Sequence, residues 1–292
     1  MENLRDYEKA GKIAAECLEF GRKLIKVNSS LFEVAEAVEK KIYDLGGKPA
    51  FPVNISINEI AAHFTPEIND KTIFKKGDLI KLDVGVHVNG CIGDNACTID
   101  LGGNKDLVKA SEEALEKAIK IIKPGIKLRD IGKEIQEVII KAGFSPIRNL
   151  CGHQVDQYVQ HAGLTIPNYD NGSEIELEEG MIIAIEPFAT TGEGVVIDGK
   201  PSGIFRLIQA KNTRNMDARK IIKFIEENFK TLPFAKRWLK QFNNLNFNLQ
   251  TLEREGIIEE YKMLVERSKG LVSQAEKTVL VGEKAKVLTK TD

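Results

Sequence analysis

Only four cysteines, four histidines and one tryptophan are spread over 292 residues, and no two cysteines stand in a CxxC pair. So few thiols at such spacing exclude a disulfide scaffold and fit a reducing compartment. Long apolar runs are missing too: the longest reach about five residues, where a membrane helix needs roughly 20. The start, Met1 to Asp6, lacks the basic region and apolar stretch of a secretory leader. A cytoplasmic protein without membrane attachment is expected. No charge sign dominates, because 42 Lys plus Arg face 43 Asp plus Glu for a formal net charge of -1. A protein that binds phosphate backbones carries a basic surplus or stripe, so sequence-specific nucleic-acid recognition is not expected. What is present, 42% hydrophobic and 29% charged residues, excludes disordered and fibrous classes and describes one large or two small globular domains.

Apolar side chains recur at helical spacing over residues 4–26 and from about Leu31 to Leu45, the second run opening on the caps Ser29 and Ser30 and closing on Gly46-Gly47. Strand-like residues Phe51 to Ile57 lead to the loop around His63, and two further helices are predicted over Lys105–Ile122 and Leu128–Ala142. Strand signals return between Phe144 and Val196. The order predicts an α+β fold with helices packed on one face of an antiparallel sheet. Residues from about Asn215 to Lys269 read as charged helices with little β signal, before a strand-like run from Leu271 to Val281; an inserted subdomain and a second helical layer of the same domain both fit. One internal repeat stands out: Gly77-Asp78-Leu79-Ile80-Lys81-Leu82-Asp83 and Gly180-Met181-Ile182-Ile183-Ala184-Ile185-Glu186 each run from a glycine through an aliphatic strand to a carboxylate.

From Leu79 to Val88 the even positions are all aliphatic, while the odd ones include Lys81, Asp83 and His87. That is a strand with one greasy and one polar face. Asn89-Gly90 signals a two-residue hairpin turn. The resulting register pairs Val88 with Cys91, Gly85 with Asp94 and Asp83 with Ala96, and it sends Cys91 and Cys97 to the aliphatic side. Asp94 then shares the polar face with Asp83, with Cβ atoms about 7 Å apart or less. Carboxylates that close are solvated, or one is protonated, or a metal lies between them. Glu186 ends the second repeat copy where Asp83 ends the first, Glu276 lies in the late strand, and His153 follows a strand signal at Cys151-Gly152. Such an oxygen-rich set with one imidazole suits a pair of divalent ions.

Asp83-Val-Gly-Val-His87-Val-Asn-Gly90 with Asp94, Gly152-His153, His161-Ala-Gly163, Ile185-Glu186-Pro187-Phe188 and Gln274-Ala-Glu276 resemble the dimetal methionine aminopeptidases, in their type II, short archaeal-like form. The resemblance covers nearly the whole chain. It implies the pita-bread fold, with a curved antiparallel sheet and pseudo-twofold halves. The catalytic domain would span 1–202 and 269–292, with an inserted helical subdomain at 203–268. It implies two divalent ions (Co, Mn, Fe or Zn) held by Asp83, Asp94, His153, Glu186 and Glu276, with a hydroxide between them attacking the carbonyl after an N-terminal methionine. Glu186 would accept the proton, His161 would bond the carbonyl oxygen, and His63 would contact the scissile amide and the next residue. Phe51, Phe188 and Tyr261 would line a methionine pocket. The implied substrates are N-termini of nascent chains with a small second residue, met at the ribosome by a monomer.

Gln160, Ile204 and Lys277 depart from the family's usual residues and put fine substrate preference in question. His87 is not a ligand there and is expected to point to the cavity rim in a structural role. Cys151 lacks a cysteine-protease signature, and Trp238 is expected in the core of the inserted helices. Two alternatives are a proline-specific peptidase of the same fold and a non-catalytic binder that keeps the fold but loses ligands. Only 82 residues precede Asp83, short of the extra N-terminal domain of the former, and all five ligands are present, against the latter.

Overall fold

A computed structural model of the chain describes residues 3–291; Met1 and Glu2, in the start that lacks leader character, and Asp292, the end of the expected 269–292 part of the catalytic domain, lie outside them. Helices form where the apolar spacing predicts them: α1 (Leu4–Leu24), α2 (Leu31–Asp44), α3 (Lys105–Ile121) and α4 (Leu128–Lys141), followed by α5 (Met216–Asn228) and α6 (Leu245–Arg254). The Ser30 hydroxyl accepts the Glu33 N–H at 3.3 Å and so caps α2. That helix stops before Gly46, whose φ of 79° only glycine adopts readily. No described helix is long and apolar enough to cross a membrane, and all four cysteines are free.

The main sheet has nine strands. Its path runs Lys48–Pro49, Leu79–Val88, Cys91–Asp100, Glu276–Leu280, Ile182–Ile185, Cys151–Gln154, Thr165–Pro167, with Asn54–Ile57 on Leu79–Val88 and Lys286–Val287 on Glu276–Leu280. Every pairing is antiparallel. The hairpin has the predicted register, with Val88 opposite Cys91, Gly85 opposite Asp94 and Asp83 opposite Ala96.

Paired residues share a face, and the register can be followed across the sheet. Asp83 pairs with Ala96, Ala96 with Glu276, Thr278 with Ala184 and Ala184 with His153. One face therefore carries Asp83, Asp94, Glu276 and His153. The opposite face buries Ile80, Leu82, Val84 and Val86 under α1 and α2, and Ile183, Ile185 and Val279 under α3 and α4. The repeat is structural: each copy opens on a glycine with positive φ, Gly77 at 97° and Gly180 at 87°. Each of its strands is flanked by the strand that supplies the other carboxylate of its half.

Residues 203–268 have their own apolar cluster, including Ile221, Ile225, Phe234, Leu249 and Ile257. They are not wholly helical, contrary to the reading of little β signal. Ile258–Glu266 is a strand of nine residues, paired with Val196–Leu207 in a four-stranded sheet. Most of its side chains are half-buried, so the alternation that marks a one-sided strand is lost, and its partner shifts register around Pro201. The late strand run is split at Ala275, with Val272–Gln274 joining Phe188–Thr190 in a separate three-stranded sheet.

Candidate metal centre and substrate cavity

The polar face of the sheet forms the floor of a cavity of 490 Å³ whose lining includes Asp83, Asp94, His153, Glu186 and Glu276. Strand pairing places Asp83 and Asp94 across the hairpin, and the last strand brings in Glu276 next to Ala96. Glu186 follows its strand directly, and Asn168 fixes the backbone there by donating to the Glu186 carbonyl at 3.2 Å. Asp94, His153 and Glu276 offer ligand atoms within 4.8 Å of one another. His153 Nε2 stands 3.7 Å from Asp94 Oδ2 and 3.9 Å from Glu186 Oε1.

These carboxylates lack a balancing cation: among the described residues, no lysine or arginine forms an ion pair with any of them. Burial, reinforced by mutual repulsion, holds Asp83, Glu186 and Glu276 well above the usual carboxylate range, and burial pushes Asp94 up to about 7. One oxygen on each of Asp83 and Asp94 is buried without a hydrogen-bond partner. Burial pushes His153 down to about 3, so the ring is neutral. Its Nδ1 faces the Gln154 carbonyl at 3.3 Å and must donate there, which leaves an Nε2 lone pair among carboxylate oxygens. Buried carboxylate oxygens without a partner, on the same floor as an imidazole with a free lone pair, fit a divalent cation.

Around this floor stand the other expected residues. Phe51, Phe188 and Tyr261 all line the cavity, as do His63 and His161. Phe51 is seated by Gly85, where a Cβ would fall 2.1 Å from its ring. His161 meets His153 edge-on at 4.4 Å between ring centres, and burial lowers its pKa. His63 adopts a φ of 60°, uncommon for a residue with a side chain. Its Nδ1 donates to the Lys262 carbonyl at 3.2 Å and its ring lies edge-on to Tyr261 at 5.2 Å. Burial lowers His63 to about 4, so it is neutral with Nε2 as an acceptor.

Of the departures, Gln160 lies in the cavity with its amide 3.5 Å from Asp94 Oδ2, and Ile204 is part of the wall. Lys277 is on the helix-covered face and donates to the Thr289 carbonyl at 2.8 Å. His87 does not reach this cavity. It lines a neighbouring groove between α2 and α5, with Nδ1 accepting the Gly90 N–H at 3.2 Å, because the strand's twist carries the turn away from the floor. Cys151 lines the cavity, but burial lifts its thiol to about 11, which leaves it un-ionised. Trp238 packs beside the apolar cluster of 203–268.

Two further groups position the carboxylates, Gln274 from the Gln274-Ala-Glu276 motif and Thr278, which no motif or spacing marks. Gln274 Nε2 lies 3.5 Å from both Glu186 Oε2 and Glu276 Oε2. Thr278 Oγ1 clasps the Asp94 backbone, accepting its N–H at 2.7 Å and donating to its carbonyl at 2.8 Å. Gln274 ends Val272–Gln274, and the break at Ala275 brings its amide back beside Glu276 at the start of the next strand.

Known proteins resemble the chain over nearly its whole length. The model of metallopeptidase family M24 matches residues 5–223. A methionine aminopeptidase of Archaeoglobus fulgidus is 48% identical over 280 residues, covering 96% of each chain. The crystal structure of a methionine aminopeptidase from Thermotoga maritima superposes with a TM-score of 0.73 at 28% identity, over 99% of this chain and 97% of that one. A prolidase from Pyrococcus furiosus shares the fold at a TM-score of 0.64 and 22% identity, and this chain covers 64% of it. With carboxylates and an imidazole gathered on one sheet face of a pita-bread fold, and a family match over most of its length, the chain belongs to metallopeptidase family M24.

Proposed function

We propose that the chain hydrolyses the peptide bond after an N-terminal methionine, releasing it from nascent polypeptides with a small second residue. The observation that carries this reading is the presence, in one cavity, of a carboxylate-rich floor and the aromatic side chains of Phe51, Phe188 and Tyr261. An unbranched, polarizable thioether suits contact with such aromatic rings. The relatives bear the same name, methionine aminopeptidase, at full-length coverage.

Asp83, Asp94, His153, Glu186 and Glu276 are the residues that would hold two divalent ions, Co, Mn, Fe or Zn. Bound there, the ions would make water acidic enough to supply a nucleophile near neutral pH and would polarise the scissile carbonyl. Glu186, at the edge of the floor and lining the cavity, takes the proton from the attacking water and is placed to pass it to the departing amine as the C–N bond breaks. His161 donates to the carbonyl oxygen as negative charge develops on it. His63, whose Nδ1–H is engaged by Lys262, accepts the amide N–H of the second residue on Nε2. Phe51, Phe188 and Tyr261 hold the methionine side chain. The setting is cytoplasmic, the protein acts as a monomer, and its substrates are chains leaving the ribosome.

Hydrolysis of Met-Ala-Ser against Ala-Pro peptides, with and without Mn²⁺ or Co²⁺, tests this. Metal-dependent release of methionine is expected; cleavage of the proline peptide alone would point to a proline-specific peptidase, and no cleavage by folded, metal-loaded protein to a binder.

A further inference from the structure

The cavity wall that carries Phe51 has an unusual support. Ala50 N–H bonds the Gly85 carbonyl at 2.9 Å, and ladder pairing resumes only at Asn54, opposite Asp83. Between them, Val53 belongs to no strand, yet it is fully buried, so its backbone groups need partners from elsewhere. A closed ring of side chains supplies them. The Glu39 carboxylate, from α2, accepts the Val53 N–H at 3.2 Å and pairs with Arg237 Nη2. Arg237 Nη1 donates to Thr65 Oγ1 at 2.7 Å, and that hydroxyl donates to the Val53 carbonyl at 2.9 Å. Glu39, Arg237 and Thr65 are 5%, 4% and 2% exposed. Arg237 also reaches Glu36 at 3.2 Å and the Pro66 carbonyl at 3.3 Å, and Trp238 Nε1 donates to the second Glu39 oxygen at 2.8 Å.

The ring touches both substrate-facing segments: Val53 lies between Phe51 and Asn54, and Thr65 follows His63 by two residues. Arg237 comes from a short 3₁₀ helix, Lys236–Leu239, in the 203–268 segment. The guanidinium fork is what lets one side chain bind a carboxylate and a hydroxyl at once.

We propose that Arg237, Glu39 and Thr65 are positioning residues that set the methionine-side wall of the cavity, so that the 203–268 segment governs substrate affinity through residues that never touch substrate. The inference rests on the aminopeptidase reading. It places the effect on binding, because His63 keeps its own anchor at Lys262 and the metal floor belongs to other strands.

Thr65→Val, nearly isosteric, deletes the hydroxyl, and Thr65→Ser keeps it. With Met-Ala-Ser and Mn²⁺, Thr65→Val is expected to raise KM about tenfold with kcat changed less than about threefold, and Thr65→Ser to restore KM to within about twofold. The emission of the lone tryptophan, Trp238, which bonds Glu39, should shift in Thr65→Val and return in Thr65→Ser. A folded Thr65→Val protein with a lowered melting temperature and wild-type KM would overturn the proposal and leave the ring purely structural. Should Thr65→Val fail to fold, Arg237→Lys, which keeps the charge at Glu39 but loses the fork, takes its place with the same expected rise in KM and the same overturning result. Wild-type protein that releases no methionine from this peptide would instead refute the function reading on which the inference rests.

Discussion

Metal binding to the protein should expel protons, and the amount can be worked from the cavity floor. Burial holds Asp94 protonated up to about pH 7 in the metal-free protein, whereas a metal ligand must be ionised. A carboxyl with a pKa near 7 is about 90% protonated at pH 6 and about 10% at pH 8, so binding at pH 6 should be about tenfold weaker, or about 1.4 kcal/mol, from this group alone. Asp83, Glu186 and Glu276 are raised as well and act with the same sign, so tenfold is the minimum. His153 adds nothing: an ordinary imidazole would be largely protonated at pH 6, but burial has lowered this one to about 3. Calorimetric titration of Mn²⁺ into metal-free protein at pH 6, 7 and 8, in two buffers of different ionisation enthalpy, measures affinity and proton release together. At least about one proton should leave per protein at pH 6, with affinity rising steadily to pH 8. Affinity flat within about twofold over that range, with no buffer-dependent heat, would refute the picture of an uncompensated carboxylate floor.

Other perturbations address single residues. Glu186→Gln should preserve the fold and lower turnover by about 10²-fold or more, and near wild-type turnover would remove Glu186 from proton transfer. His63→Ala should reduce turnover about 10²-fold while calorimetric metal affinity stays the same; a collapse of metal affinity would contradict the ligand assignment. Gly85→Ala would place a methyl group 2.1 Å from the Phe51 ring; a cost of about 1–3 kcal/mol in melting experiments is expected, and because the ring must move, KM should rise more than kcat falls.

The hairpin was legible in detail because Asn89-Gly90 fixes the turn and the aliphatic residues from Ile80 to Val88 fix the face, and a period of two leaves no freedom once both are set. Asp83 and Asp94 follow from that register alone. Glu276 and His153 do not: they reach the same face through strands far away in sequence, and only the family's motifs linked them beforehand. The repeat was visible as a glycine followed by an aliphatic strand, and its meaning became clear when both glycines proved to share the left-handed conformation. Ile258–Glu266 was illegible because a strand half-buried on both sides carries no alternation. The Glu39–Arg237 pair was hidden for a different reason. Its members are 198 positions apart, and a glutamate among the charges of α2 reads as one more solvated side chain.

The position of Glu276–Leu280 constrains how the molecule can be made. This strand lies between Cys91–Asp100 and Ile182–Ile185 but is synthesised after both, so during translation the two flanking strands present unpaired edges with a gap between them. Thr278 must reach Asp94 across 184 positions, a closure that local contacts cannot bring about and that slows folding. Until it happens, the floor has Asp83 and Asp94 on one side and His153 and Glu186 on the other, with no strand to hold the two sides in register. Chain completion, folding and metal capture thus converge on one late event, and a chain stalled before Glu276 would expose the open edges that chaperones recognise and aggregation exploits.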